Sequence, residues 1–338
     1  MTYIRESKSI ATQTQIFAMS SNTALTITSK LLLPSNQGSI YRLGLGVFVS
    51  SRCEQSVLSA LQSGYRHIDT AQIYYNEHET GAAVTKFLSQ NPSVSRSDIF
   101  VTTKLWEVDL TRPDMPKSFD SLCNEGPWTI NSLEAGHTTY TAEGVAAGVD
   151  RSLKASGLEY FDLYLVHTPR PGSEARLQAW LALQKAREAG KVRAIGVSNW
   201  SPKAIEALAA SPEVNTLPAV NQIEFHPWNQ QRDILAYCQK KGIVVTAYSP
   251  LTQGKRLGDA TIVRIAEKLG KTPAQIVLRW CLQMGVSIIP KSDRDERINE
   301  NKNLYDFELD GDDMKAIDAL DEGQKGNQGE WDPFAWEA

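Results

Sequence analysis

YRLGLGVFVSS, residues 41 to 51, decides between two ways of winding alternating strands and helices. A short apolar run leads into Gly44 and Gly46, as a dinucleotide-binding fingerprint would begin, but the position three after Gly46 is Val49. A G-x-G-x-x-G turn needs its third glycine so that the following helix can pack close to the strand. Without it the open, doubly wound sheet loses its signature, and a closed parallel barrel is the better reading.

Working outward from this stretch, seven more apolar runs follow: RHIDTA, IFVTTKLW, YFDLYLVH, VRAIGVSN, AVNQIEFH, IVVTAYSP and VSIIPKSD. Each carries a few β-branched or apolar residues in succession, as strands buried on both faces do. Helix-period stretches lie between them: CEQSVLSALQSG, TGAAVTKFLSQ, AEGVAAGVDRSLKASG, RLQAWLALQKAREAG, PKAIEALAAS, QRDILAYCQKKG and GDATIVRIAEKLGKTPAQIVLRWCLQMG. Several close on glycine, the residue suited to a left-handed C-cap. The pattern predicts an α/β fold, a (β/α)8 TIM barrel of about 250 residues, which the span from 43 to about 318 accommodates.

Ahead of the barrel, LTI (25–27) and LLL (31–33) flank Thr28, Ser29 and Lys30 and predict an N-terminal β-hairpin. Residues 1–24, rich in Ser, Thr and Gln, read as a flexible tail, and 25–338 as one barrel domain. Residues 107–141 interrupt the alternation with Pro, Gly, Asn and Ser and no sustained period, so they read as a long loop inserted after the third barrel strand.

Composition narrows the partners. The 338 residues are 41% hydrophobic with a net charge of -4 and dispersed cations, so no basic stripe offers itself to nucleic acid. No apolar run reaches the 18 or so residues that span a bilayer, and the N-terminus lacks a signal-peptide core, so a cytoplasmic protein is expected. Cys53, Cys123, Cys238 and Cys281 are scattered without metal-ligand spacing, which predicts no metal site and no disulfide framework.

In a parallel barrel, function gathers at the C-terminal ends of the strands. Those ends carry Asp69, Lys104, His167, Ser198 with Asn199, Gln222, Tyr248, and Lys291 with Ser292; Tyr74 follows Asp69 closely. Any one of them has an ordinary structural explanation, an ion pair or a bonded core histidine. Their convergence on one rim does not.

With those residues in view, the sequence resembles the aldo-keto reductases. G-Y-R-H-I-D-T-A-x-x-Y-x-N-E at 64–77, D-L-Y-L-V-H-T-P at 162–169 and I-P-K-S-x-x-x-x-R-I-x-E-N at 289–301 are similar to three family signatures, in order. The resemblance implies a catalytic tetrad of Asp69, Tyr74, Lys104 and His167. Reducing a carbonyl by hydride places negative charge on its oxygen, which a proton donor must quench. Tyr74 is the implied donor; Lys104, paired with Asp69, is expected to lower its pKa, and a neutral His167 to orient the substrate oxygen.

No side chain supplies hydride, so the resemblance also implies a nicotinamide cofactor. It puts Ser198, Asn199 and Gln222 on the carboxamide and Tyr248 against the ring, with Gly46, Val47 and Phe48 alongside and Ser249, Pro250 and Leu251 near the pyrophosphate. Ser198 and Asn199 could also serve as a helix N-cap. Ser292, with Asp295 three positions on, matches a capping box. The family places the adenosine 2'-phosphate on Lys291, Ser292 and Arg297 and the adenine on Glu300 and Asn301, which favours NADPH, with NADH as the alternative.

Phe48, Trp106 and Trp200 are the expected substrate-pocket aromatics, Trp128, Phe119 and Tyr140 the candidate wall of the insertion, and Trp331, Phe334 and Trp336 a C-terminal flap. The expected activity is NADPH-dependent reduction of small aldehydes or ketones by a monomer. A cofactor-sensing regulatory protein on the same barrel is the rival, because a fold alone does not fix function.

Overall fold

The computed structural model describes residues 24–107, 139–329 and 332–336. Residues 1–23 of the predicted tail, and Phe119, Cys123, Trp128 and Trp331, lie outside the described residues. Two strands, β1 (Lys30–Leu32) and β2 (Ser39–Tyr41), form an antiparallel pair. A hairpin is present, but not between the segments the sequence suggested. Ser29 N–H instead closes a turn on Thr26 O at 3.0 Å. The chain reverses at Ser35 and Asn36, with φ of 54° and 55°. Consecutive left-handed residues match the twist of a hairpin, and Asn accepts that conformation more readily than most residues.

Eight parallel strands follow in sequential order: β3 (Leu45–Gly46), β4 (His67–Asp69), β5 (Phe100–Leu105), β6 (Phe161–Val166), β7 (Val192–Ser198), β8 (Val220–Glu224), β9 (Val244–Tyr248) and β10 (Ser287–Ile288). The first and last meet through parallel bridges Leu43 to Ile288 and Gly46 to Lys291, so the sheet closes on itself. Gly46 is required at that seam: a Cβ there would stand 2.8 Å from Ile289 O.

Helices α1 (Cys53–Gln62), α2 (Glu77–Gln90), α3 (Ala142–Ser156), α4 (Gly172–Glu188), α5 (Pro202–Ala209) and α6 (Arg232–Lys241) connect successive strands. The stretch from 258 to 285 divides in two, α7 (Ala260–Leu269) and α8 (Pro273–Gln283). Gly270, at φ 62°, ends the first, and a Thr272–Gln275 capping box starts the second. Two short helices complete the chain, α9 (Asp295–Asn301) and α10 (Gly311–Asp318).

Alternation along the strands separates two cores. Tyr164 and Val166 face outward into the large layer between sheet and helices, which includes Trp180, Trp200 and Trp280. Leu163 and Leu165 face inward, with Phe100, Ala194 and Val220, and the hairpin residues Leu33, Ile40 and Tyr41 pack against this inner set. Lys104 is in register with Leu165 and Thr102 with Leu163, so Lys104 also points into the barrel. Among the described residues, no helix is long and apolar enough to cross a membrane, and no cluster of His, Cys, Asp and Glu could hold a metal. Cys53, Cys238 and Cys281 are buried free thiols.

Candidate active site

β4 delivers Asp69 to the rim, and the chain then makes a single 3-10 turn over Gln72–Tyr74, with Tyr75 left-handed at φ 55°. Two side chains hold this turn rigid. Asn76 donates to Val47 O at 2.8 Å and accepts from the Thr70 hydroxyl at 2.6 Å. Gln72 donates to Gly148 O, Ser152 and Tyr164 at 2.9 to 3.1 Å and accepts from Trp106 N–H at 2.9 Å. Asn76 and Gln72 lie inside the first motif, yet Val47, Gly148 and Tyr164 on which they act are remote in sequence, so neither role was legible there.

The four predicted groups meet. Lys104 Nζ donates to Asp69 Oδ1 at 2.5 Å and to Thr70 O at 2.8 Å, and lies 3.5 Å from the Tyr74 hydroxyl. Gln222, from the far wall, donates to Asp69 Oδ2 at 2.7 Å. The His167 ring sits edge-on to Tyr74, with centroids 6.0 Å apart, and to Trp106 at 5.2 Å. Phe48 closes the other side of Tyr74 at 5.0 Å and is 46% exposed, so the group opens to solvent past an aromatic edge.

Burial governs the protonation of this cluster. It pushes the Asp69 carboxyl up and the Lys104 amine down, while each group's charge opposes the shift of the other. Burial likewise lifts the Tyr74 hydroxyl well above its ordinary 10, and Asp69 and then Tyr248 lift it further. The resting hydroxyl is therefore less acidic than a free phenol. Burial and then the Lys104 charge hold His167 neutral, well below its ordinary range.

A chain of amides adjoins the four. The Tyr248 hydroxyl donates to Asn199 Oδ1 at 3.0 Å, Asn199 Nδ2 to Ser198 Oγ at 3.1 Å, and Ser198 Oγ to Gln222 O at 2.8 Å. Ser198 and Asn199 do not cap the next helix: Ser201 does, accepting from Ala204 N–H at 3.3 Å. Non-glycine residues with positive φ follow five of the barrel strands, at Val49, Tyr75, Asn199, Gln231 and Ser249, with Thr252 and Gln253 just beyond. Strained backbone persists where the surroundings over-determine it, commonly at ligand sites. Two amides, a hydroxyl and a flat phenol beside a proton-donor cluster form a set that fits a planar ring bearing a carboxamide.

At the barrel seam, Lys291 is exposed and pairs with Asp293 at 2.8 Å. The predicted Ser292 capping box is absent. α9 begins from Arg294 without a side-chain cap, and Ser292 Oγ instead accepts from Arg294 N–H at 3.1 Å. Ser292 sits two residues ahead of the N-cap position, and its hydroxyl is used in a local turn. Arg297 is exposed, Glu300 half-buried and Asn301 buried. Pro250 is buried between the partly exposed Ser249 and Leu251.

One expected pocket aromatic, Trp200, and one candidate wall residue of the insertion, Tyr140, lie elsewhere. Trp200 is fully buried outside the barrel, under Arg176 at 5.7 Å, with Leu177 of α4 and Ala204 and Leu208 of α5 lining the same cavity. Its backbone pairs with Asn221, and the turn at Asn199 directs the ring away from the rim. Tyr140 is 1% exposed and donates to Thr168 O at 3.0 Å, a core contact and no lid.

The described ends of the insertion meet at a neck. Thr139 N–H donates to Glu107 O at 3.0 Å, and its hydroxyl bonds to Trp106 O. Glu107 is buried, pairs with Arg170 at 3.0 Å and accepts from the Thr168 hydroxyl. The C-terminal segment is tied to the same rim: Gln328 and Gly329 N–H groups donate to Glu224 at 2.6 and 3.1 Å, and Trp336 O accepts from Arg176 at 3.2 Å. Glu107, Glu224 and Arg170 carried no motif and were missed from sequence.

Comparison with known proteins gives this geometry its context. The model of the Aldo/keto reductase family matches residues 50–322. The glyoxal reductase of Bacillus subtilis is 38% identical over 285 residues, covering 83% of this chain and 89% of that protein. The crystal structure of an aldo/keto reductase from Brucella melitensis superposes with a TM-score of 0.72 at 37% identity, covering 87% and 100% of the two chains. A Bombyx mori aldo-keto reductase in complex with NADP gives 0.74 at 31% identity, covering 90% and 96%.

Proposed function

This chain belongs to the aldo/keto reductase family, and from that premise we propose that it reduces small aldehydes or ketones to alcohols with NADPH, Tyr74 giving the proton. The observation that carries the reading is the buried Asp69–Lys104 pair with the Tyr74 hydroxyl 3.5 Å from Nζ and Gln222 bracing Asp69 across the barrel. A structural ion pair would have no need of a phenol at a solvent-facing edge.

Bound NADPH would supply hydride to the carbonyl carbon, held by Ser198, Asn199 and Gln222 at its carboxamide and Tyr248 at its ring, with Lys291 and Arg297 toward its 2'-phosphate. As charge gathers on the carbonyl oxygen, the Tyr74 O–H transfers its proton there. Burial keeps Tyr74 protonated at neutral pH, the correct resting state for an acid. Lys104 acts on the other side of the step, because its ammonium stabilises the tyrosinate as it forms. Neutral His167 donates a hydrogen bond to the same oxygen and so sets its direction. Phe48 and Trp106 make the mouth apolar, which suits carbonyls lacking charged anchors.

The test is oxidation of NADPH, followed by absorbance, with a panel of aldehydes and ketones. Tyr74→Phe should lower kcat by roughly 10²- to 10⁴-fold, the usual contribution of a general acid, with cofactor affinity nearly intact. Tight cofactor binding without turnover across a broad panel would favour a sensor. Full activity in Tyr74→Phe would move the acid to another group.

A further inference from the structure

We propose that Asp293 limits how strongly this chain prefers NADPH over NADH, an inference that rests on the assignment of Lys291 to the 2'-phosphate. The Asp293 carboxylate is the hub of the barrel seam. It accepts from Ser50 Oγ at 2.5 Å, Lys291 Nζ at 2.8 Å, Ser51 N and Ser56 Oγ at 3.3 Å, and Ser51 Oγ at 3.4 Å. Arg52 donates to its main-chain carbonyl at 3.2 Å. The Lys291 ammonium is thus engaged by an anion from the same chain before any ligand arrives, and its side chain is 38% exposed against 19% for Asp293.

A phosphate reaching Lys291 must share that ammonium with the carboxylate or displace it, and two anions beside one cation repel each other. The serines keep Asp293 from swinging away, since four hydroxyl or amide donors would be left without it. A ribose with a free 2'-hydroxyl meets the opposite situation: a carboxylate is a hydrogen-bond acceptor for it, the way an acid beside a ribose selects NAD over NADP. One side chain therefore weakens phosphate capture and offers the unphosphorylated ribose a partner. Lys291, Arg294, Arg297 and Arg52 are all exposed near this loop, which keeps the phosphate admissible.

The experiment measures NADP⁺ and NAD⁺ dissociation constants by quenching of tryptophan fluorescence in the full chain. Asp293→Asn keeps an oxygen for Ser50 and Ser56 but removes the charge. It should tighten NADP⁺ relative to NAD⁺ by about 5-fold or more, and the gain should shrink at high salt. Lys291→Met should cost NADP⁺ affinity more in the Asp293→Asn background than alone, a difference that a merely structural role for Asp293 would not produce. Should Asn unsettle the seam, Asp293→Glu keeps the charge on a longer stem and the Lys291→Met effect in the native background still reads the pairing. A preference for NADP⁺ over NAD⁺, taken as Kd for NAD⁺ divided by Kd for NADP⁺, that stays constant or falls in Asp293→Asn overturns the proposal alone. Failure of either dinucleotide to bind the wild type overturns the reductase reading and the proposal with it.

Discussion

Lys104→Met separates what the buried pair does for the reaction from what it does for the fold. An ammonium 3.5 Å from the Tyr74 oxygen stabilises a full tyrosinate by about 5 kcal/mol at an effective dielectric of about 20. With the proton roughly half transferred at the transition state, about 2 to 3 kcal/mol acts on the barrier, a loss of roughly 30- to 200-fold in kcat/KM. The substitution also strands Asp69, 2% exposed, with Gln222 as its remaining side-chain donor. Removing one partner of a buried pair costs about 3 to 5 kcal/mol, whereas removing both can cost much less. The double variant Asp69→Asn/Lys104→Met should therefore recover melting temperature and not turnover. Steady-state kinetics of NADPH oxidation, a thermal melt and fluorescence titration of cofactor make the comparison. If the double variant regains turnover along with stability, or the single variant keeps a third of its activity with cofactor bound normally, Lys104 is structural and the electrostatic account fails.

Two further outcomes concern stability. His67 is fully buried, bonded to Thr102 at 3.0 Å, and its pKa falls to about 3, first through burial and then through the Lys104 charge. Between its unfolded value near 6.5 and about 3 the unfolded chain holds one more proton there, so stability should drop as pH falls below about 6.5, by up to about 1.4 kcal/mol per unit. Buried carboxyls with raised pKa, such as Glu77 and Asp162, act in the opposite sense. The measurement is thus the difference in urea unfolding between wild type and His67→Gln at pH 7.5 and 5.5, and an identical pH slope in both would refute it. Gly81→Ala tests close packing: helix propensity alone favours Ala by about 1 kcal/mol, but the added Cβ would lie 1.8 Å from Ser156 O at the end of α3. Backbone cannot give way as a flexible side chain would, so urea unfolding should show net destabilisation of about 2 kcal/mol or more; a stabilised variant would show that α2 and α3 are loosely docked.

The parts of this molecule that were legible in the sequence share a physical origin. Continuous apolar runs and glycine-closed helical stretches report burial and local backbone preference, so the eight strands and most helices could be read directly. Asp69, Lys104 and Gln222 could be placed on one rim because strand ends converge in a closed barrel. What could not be read depends on direction and distance. Trp200 follows a strand as Trp106 does, but the left-handed Asn199 turns it outward. Ser292 has capping-box spacing, yet the helix begins two residues later than that spacing requires. Tyr74 was expected to be made more acidic by a neighbour, and the burial that raises its resting pKa belongs to the folded pocket and leaves no trace in residue order.

The neck at Glu107 and Thr139 has a consequence for how such a molecule can diversify. Because the chain exits and re-enters the barrel through two residues already hydrogen-bonded to one another, a change in the length of what lies between need not re-register β5 or shift α3. The buried Glu107–Arg170 contact fixes that doorway from beneath. Natural selection can therefore rewrite the intervening segment as freely as a tailor changes a sleeve on a finished armhole, while Lys104, a few residues upstream, keeps its position.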